Sequence, residues 1–219
     1  MTVGAASSLT EVMGDLGVVL AQEFPEVDVA FSFGASSALA QQVADGAPLD
    51  VIITADPSSL ESLVDQSLVG TPTIVARNRM TILVPADNPG KVTTLADLAR
   101  PELKIALCAV EVPCGKRATE ILSGQSLSVT PVTLEQNVKG VVGKVTSGEV
   151  DAGIAYVTDA APAGDAVRSI EIPDAQNADT AYPAAVVSAS AHQVAADELI
   201  TFLNSRAAQR RFADRGFAP

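Results

Sequence analysis

The chain has 219 residues, enough for one large or two small domains with hydrophobic cores of their own. Its formal net charge of −12 excludes nucleic acid as a partner, because a phosphate backbone requires clustered Lys and Arg side chains. The same charge does not exclude a small anion, since backbone N–H groups at a helix start can hold one whatever the net charge. No run of about 18 apolar residues is present, so no transmembrane helix is predicted.

Strand-like and helix-like segments alternate along the chain. Apolar runs predict strands at 1–4, 27–33, 49–54, 80–84, 104–108, 128–132 and 152–156. Helical spacing and N-terminal signals predict helices at 35–44 and 197–211 and helix starts at 56–59, 93–97 and 133–135. This alternation predicts a doubly wound α/β fold with mostly parallel sheets.

Neither a linker nor a low-complexity tract interrupts this pattern. We therefore expect two lobes joined by crossing strands, with the crossings at 73–80 and 179–187. Residues 1–78 and 183–219 are expected to form lobe I, and residues 79–182 are expected to form lobe II.

Several predicted strand-to-helix turns are rich in small and hydroxyl-bearing residues. A helix start carries unpaired N–H groups and a partial positive charge, and small residues allow an anion to approach the backbone. Open α/β sheets bind ligands at the carboxyl ends of their strands, where such turns lie. Taken singly, each serine is equally explained as a helix cap. The turns are at 3–10, 33–39, 112–116 and 135–140.

Two cysteines, Cys108 and Cys114, lie six positions apart. This spacing does not fit a structural zinc site, which would also need two further ligands. Two reduced thiols and a local disulfide both remain open, and a disulfide would indicate an oxidising compartment.

The chain resembles the molybdate-binding proteins of ABC transporters, within the type II periplasmic binding fold. The resemblance implies a two-lobed α/β protein in which each lobe is a mostly parallel sheet flanked by helices and the ligand lies in the cleft between the lobes. The matching stretches run in order through the chain: Ala5-Ala6-Ser7-Ser8-Leu9-Thr10, Phe33-Gly34-Ala35-Ser36-Ser37, Gly46-Ala47-Pro48-Leu49-Asp50, Thr54-Ala55-Asp56, Val112-Pro113-Cys114-Gly115, Gly153-Ile154-Ala155-Tyr156 and Tyr182-Pro183-Ala184-Ala185-Val186-Val187.

The resemblance assigns five residues to the oxyanion. Ser8 and Ser36 each provide a hydroxyl and an N–H group. Cys114 and Val138 provide backbone N–H groups, and Tyr156 provides a hydroxyl. Cys114 departs from the small residue that the family pattern leads us to expect, but a backbone donor tolerates a different side chain. The metal atom is reached only through the oxygens of the anion, with no direct ligation.

The resemblance further implies the protein's role. We expect a monomer that needs no cofactor, captures molybdate or tungstate and delivers it to the membrane permease of an ABC transporter. The expected location is extracytoplasmic, periplasmic or lipid-anchored, with an export signal removed from this sequence.

Three other functions are compatible with parts of the sequence. A hydrolase is disfavoured because the single histidine, His192, lies beyond the predicted turns and no Gly-x-Ser-x-Gly motif is present. A ligand-sensing domain of a transcriptional regulator would normally carry a helix-turn-helix segment, for which the length leaves no room. A binding protein for another tetrahedral oxyanion remains open: an all-donor shell favours molybdate, tungstate or sulfate over phosphate, which retains a proton.

Overall fold

The computed structural model describes residues 1–218, in which ten strands and eight α-helices form the framework. The strands are β1 (Thr2–Ala6), β2 (Ala30–Gly34), β3 (Val51–Ile53), β4 (Thr73–Asn78), β5 (Met80–Pro85), β6 (Ile105–Cys108), β7 (Thr133–Glu135), β8 (Ala152–Tyr156), β9 (Val167–Glu171) and β10 (Thr180–Val186). The helices are α1 (Thr10–Glu23), α2 (Ser36–Ala44), α3 (Ser58–Asp65), α4 (Pro113–Gly124), α5 (Val138–Thr146), α6 (Val157–Ala163), α7 (Gln193–Leu203) and α8 (Arg206–Asp214).

The chain folds into two compact units. Unit 1 contains Met1–Arg77 and the chain from Ala181 onward, and unit 2 contains Asn78–Thr180. The chain therefore passes between the units within β4 and again within β10. Each unit is built on one five-stranded sheet with helices packed against it, which confirms the predicted α/β fold.

The sheet of unit 1 has the strand order β2-β1-β3-β10-β4. β1 pairs in parallel with both β2 and β3, whereas β10 is antiparallel to β3. All three residues of β3 are buried, as expected of a continuous apolar strand covered on both faces. Its Ile52 packs in a core cluster with Leu39 from α2 and Leu60 from α3, so burial of these helices orients the turns that precede them.

The sheet of unit 2 has the strand order β7-β6-β8-β5-β9. β6 is parallel to β7 and β8, and β5 is antiparallel to β8 and β9. Helix α5 packs closely on β8: a Cβ atom at Gly153 would lie 2.6 Å from the Val141 side chain. The absence of a side chain at Gly153 thus allows helix and strand to approach each other.

Three predicted elements were wrong. The predicted strand at 128–132 is not formed, and the expected helix start at 133–135 is strand β7 instead. Pro131 cannot donate to a sheet ladder, and α5 begins only after Asn137, whose side chain accepts the Gly140 N–H at 3.1 Å. The closing segment forms two helices rather than one, because Ser205 accepts the Ala208 N–H at 3.3 Å and caps a new helix.

Asp97 of unit 2 provides an acid-sensitive contribution to stability. The backbone N–H groups of Thr93 and Thr94 donate to its carboxylate at 2.9 Å each. The Thr93 N–H makes the largest contribution, and these bonds together outweigh burial and lower the pKa of Asp97 from 3.8 to about 2. Because the folded pKa is depressed, the stabilisation is present above about pH 4 and is lost as the pH falls through 2.

Asp97→Asn is therefore expected to lower the free energy of unfolding at pH 7 by about 1 kcal/mol. Urea unfolding at pH 7, 4 and 2 checks this, and the difference from the wild-type chain should shrink towards pH 2. The exposed Asp87 of the same unit supplies a control, Asp87→Asn. An equal effect of both variants at every pH would contradict the role of Asp97.

Candidate functional site

Three parallel strands of unit 1 end side by side. Ala6 at the end of β1 pairs with Gly34 at the end of β2, and Ala5 pairs with Ile53 at the end of β3. The turns after these strands are therefore neighbours at the carboxyl edge of the sheet. A hydrogen bond of 2.9 Å from the Ala55 N–H to Ser36 Oγ joins two of them. The structure thus brings the turns carrying Ser8 and Ser36 to one edge.

Neither of these serines caps a helix with its side chain. Ser8 lies within a 3₁₀ turn, Ser7–Leu9, that precedes α1, and the residue that caps α2 is Ala35 rather than Ser36. Both serines are buried, with 4% of Ser8 and 1% of Ser36 exposed. Since Ser36 Oγ accepts from Ala55, its own proton can be donated to a further acceptor. The capping explanation is therefore wrong for both side chains.

Tyr182 is a neighbour of Ser8 that the sequence did not reveal. Its hydroxyl lies 2.9 Å from Ser8 Oγ, and the two residues are 174 positions apart in the chain. Tyr182 stands in one of the matching stretches, yet no spacing or motif connects it with Ser8. Only the position of β10 in the sheet of unit 1 brings the two hydroxyls together.

Unit 2 repeats the arrangement with its own three parallel strands. Cys108 at the end of β6 pairs with Glu135 at the end of β7, and Ala106 pairs with Gly153 of β8. The three residues that the sequence assigned to the anion follow these three ends: Cys114 in the first turn of α4, Val138 at the start of α5 and Tyr156 at the end of β8. First-turn N–H groups have no carbonyl partner within their own helix.

The two cysteines form a disulfide, which decides between the alternatives left open by the sequence. Both cysteines are buried. The bond joins the end of β6 to the first turn of α4, so it closes the turn that carries the Cys114 N–H. The thiol at the position that departs from the family pattern is therefore engaged, and its backbone donor keeps its place in the helix start.

Replacing both Cys108 and Cys114 with serine is expected to lower the free energy of unfolding by about 2 kcal/mol, because a short covalent loop no longer restricts the unfolded chain. Anion affinity should fall as well, since the turn is held less firmly. Chemical unfolding measures the loss of stability, and calorimetric titration measures the loss of affinity. The wild-type protein under reducing conditions, which lacks the same disulfide, is the control. Equal midpoints for the variant and the oxidised wild type would contradict the expectation.

One ion pair lies beside the predicted donors of unit 2. Lys139 follows Val138 in α5, and its Nζ lies 3.1 Å from Oδ1 of Asp159. The Asp159 side chain is fully buried, and its other oxygen accepts the Tyr156 N–H at 3.3 Å. The Asp159 carboxylate thus contacts Tyr156 and also Lys139, the residue that follows Val138, and its negative charge offsets the positive charge of Lys139. No spacing in the sequence connects Asp159 with Lys139, which lies 20 positions before it.

The side chain of the single histidine contacts a carboxylate. His192 Nδ1 lies 3.1 Å from Asp50 Oδ1, at the amino end of β1, where Asp50 also accepts the Thr2 N–H. The Ser190 hydroxyl donates to Asp50 rather than to the imidazole. Burial raises the pKa of Asp50. Hydrogen bonds from Ser190, the Thr2 N–H and His192 outweigh burial, and the pKa lies below its ordinary value.

Through these contacts the ionised Asp50 carboxylate joins the start of β1 to the segment that follows β10. The His192 side chain is half exposed. Within residues 1–218, no group of three or more His, Cys, Asp or Glu side chains is arranged to hold a metal ion. None of the helices in this range is long and apolar enough to cross a membrane.

Comparison with known proteins gives a full-length match. Residues 1–218 match the family model described as bacterial extracellular solute-binding protein. A molybdate-binding protein, ModA of Mycobacterium tuberculosis, is 34% identical over 219 residues, which cover 100% of this chain and 84% of the relative.

Two solved structures share the fold over the whole chain. A periplasmic molybdate-binding protein of Azotobacter vinelandii has a TM-score of 0.87 at 20% identity and is covered to 99%. The sulfate-binding protein SubI of Mycobacterium tuberculosis has a TM-score of 0.88 at 23% identity and is covered to 86%. At these identities the likeness concerns the fold alone, and the fold is compatible with more than one oxyanion.

Proposed function

This chain belongs to the family of bacterial extracellular solute-binding proteins, and we propose that the solute it captures is molybdate, with tungstate as a chemically equivalent ligand. The observation that carries the proposal is the position of the five residues assigned to the anion. Two of them follow the carboxyl ends of parallel strands in unit 1, and three follow such ends in unit 2. The 34% identity to a molybdate-binding protein, which extends over the whole of this chain, supports the choice of ligand.

We assign these five residues to the anion as hydrogen-bond donors. Ser8, Ser36 and Tyr156 contribute hydroxyl groups, and Cys114 and Val138 contribute backbone N–H groups. Each hydrogen bond to a charged group contributes roughly 1.5–3 kcal/mol. Five such bonds amount to roughly 7.5–15 kcal/mol, a range that includes the roughly 8 kcal/mol of micromolar affinity.

A shell of neutral donors suits a fully deprotonated anion. Such a shell leaves no unpaired cation buried when the ligand departs. Lys139, the cation beside Val138, is already paired with the buried Asp159 and therefore does not add an uncompensated charge. Phosphate at neutral pH retains a proton that needs an acceptor, and an all-donor shell disfavours it.

Sulfate is the second candidate ligand. It is tetrahedral and fully deprotonated, and the structural likeness to a sulfate-binding protein shows that the same fold accepts it elsewhere. Sulfate is smaller than molybdate, so the spacing of the donors decides between them. The higher identity of the molybdate-binding relative favours molybdate here.

Calorimetric titration with the sodium salts of molybdate, tungstate, sulfate and phosphate tests the proposal. Molybdate and tungstate should bind with micromolar or higher affinity, sulfate more weakly, and phosphate not measurably. Tighter binding of sulfate would show that the anion is wrongly chosen. Absence of binding by all four salts would show that the function is wrong.

The proposal also covers the role in the cell. We assign to this chain no catalytic step and no cofactor; it would act outside the cytoplasm as a monomer, free or lipid-anchored, and pass the anion to the membrane permease of an ABC transporter. The chemistry is one of hydrogen bonding alone, since the proposed donors are hydroxyl and amide groups that keep their protons throughout. Sedimentation of the purified protein checks the monomer, and a single species at the mass of one chain is expected.

A further inference from the structure

The hydroxyl groups of Ser8 and Tyr182 form a buried pair in unit 1. Ser8 Oγ lies 2.9 Å from the Tyr182 hydroxyl, and either oxygen can be the donor. Ser8 is 4% exposed and Tyr182 is fully buried. The hydrogen bond between the two hydroxyl groups therefore lies in surroundings of low dielectric, where it is stronger than in water. Which of the two oxygens donates the proton consequently matters more than it would at the surface.

Aromatic packing holds the Tyr182 ring in position. The ring meets Phe217 edge to face, with ring centroids 5.5 Å apart, and Phe217 meets Phe212 in the same way at 5.5 Å. Edge-to-face contacts of this kind stabilise one ring orientation beyond simple burial. The Tyr182 hydroxyl is thus directed at Ser8 by a rigid cluster that includes a residue of α8.

The proton count of the pair sets the direction of its hydrogen bond when an anion is bound. A serine hydroxyl has one proton to donate and two lone pairs that accept. If Ser8 donates this proton to an oxyanion, its oxygen can only accept from Tyr182, and Tyr182 must be the donor. The order is then Tyr182 to Ser8 to the anion, and each bond in such a chain polarises the next.

We propose that Tyr182 is a positioning residue of the anion site, which donates to Ser8 and thereby commits the Ser8 proton to the bound oxyanion. The inference rests on the proposed function, because it concerns the same site. It also adds a reason for selectivity. A fully deprotonated anion offers acceptors only and matches the committed direction, whereas a protonated anion brings a donor that this direction opposes.

A double-mutant cycle with Tyr182→Phe and Ser8→Ala tests the inference by calorimetric titration with sodium molybdate. Tyr182→Phe keeps the ring and removes only the hydroxyl group. We expect this variant to bind molybdate about 3- to 10-fold more weakly than the wild-type chain. In the Ser8→Ala background the same change should have no further effect, because the oxygen that receives the tyrosine proton is gone.

The cycle separates positioning from a purely structural role. If Tyr182→Phe weakens binding by the same factor with and without Ser8, or leaves the affinity unchanged, the inference is overturned. Thermal unfolding of all four proteins controls for loss of structure, and a variant that melts near the wild-type temperature yet binds weakly supports positioning. If the wild-type chain binds none of the tested anions, the proposed function fails and the inference falls with it; if the wild type binds but the cycle is additive, only the inference fails.

Discussion

Replacing Ser36 with alanine is expected to weaken molybdate binding by about 10- to 100-fold, the equivalent of one hydrogen bond to a charged ligand. Ser36 is 1% exposed, and its Oγ accepts the Ala55 N–H at 2.9 Å. The substitution therefore removes a proposed donor to the anion and, at the same time, the buried hydrogen bond between the Ala55 N–H and Ser36. The second loss lowers the free energy of unfolding by about 1–3 kcal/mol.

Calorimetry and chemical unfolding distinguish the two consequences of Ser36→Ala. The control Ser37→Ala makes the same chemical change one position along α2, where the helix rotates the side chain by about 100°. Titration of both variants at a temperature well below their unfolding midpoints keeps the proteins folded. Wild-type affinity in Ser36→Ala, or an equal loss in Ser37→Ala, would remove Ser36 from the site.

Gly115→Ala is expected to cost about 3 kcal/mol or more of unfolding free energy, because Gly115 in the first turn of α4 lies against the preceding turn, with no space for a side chain. A Cβ atom at Gly115 would lie 1.9 Å from the Ala109 carbonyl oxygen and 2.7 Å from the Cys108 carbonyl oxygen. Neither group can move easily. The Ala109 N–H donates to Glu135 at 2.9 Å, and Cys108 is held by the disulfide.

The same substitution should impair anion binding. Gly115 directly follows Cys114, so any shift that relieves the clash displaces the proposed backbone donor. The matched control is Gly124→Ala at the end of the same helix, where a Cβ atom would meet no atom within 4 Å. This control should be neutral or stabilising by up to about 1 kcal/mol, as alanine favours the helix. Urea unfolding measures both, and equal stability of the two variants would contradict the close approach.

The disulfide also makes the proposed position of the Cys114 donor dependent on redox conditions. Because the disulfide joins β6 to the first turn of α4, it holds a proposed donor within a short closed loop. Such bonds persist in oxidising compartments, in agreement with the extracellular description of the family. Cys114, which departs from the family pattern, is thus bonded to Cys108, and its proposed backbone donor lies in the first turn of α4.

Much of the fold could be predicted from the sequence because its signals are local. Continuous apolar runs such as β3 and β8 marked buried strands, and small residues with serine marked the turns that precede α1 and α2. The segment 128–135 was predicted wrongly because its register depends on pairing with β6, which lies far from it in the chain. Local preference there did not distinguish a strand from a helix start.

The amino-acid sequence by itself determined the α/β alternation and the small-residue turns, and its resemblance to a known family supplied the five residues proposed for the anion. Only the tertiary structure decided which side chains support them: the pairing of Ser8 with Tyr182 and the joining of Cys108 to Cys114. The physical reason is that a local sequence signal shows neither which distant residues meet in the fold nor whether two nearby side chains bond to each other. Ser8 and Tyr182 are 174 positions apart, and their hydrogen bond exists only because β1 and β10 belong to one sheet. The cysteines are near in sequence, but their bond depends on how the end of β6 meets the start of α4.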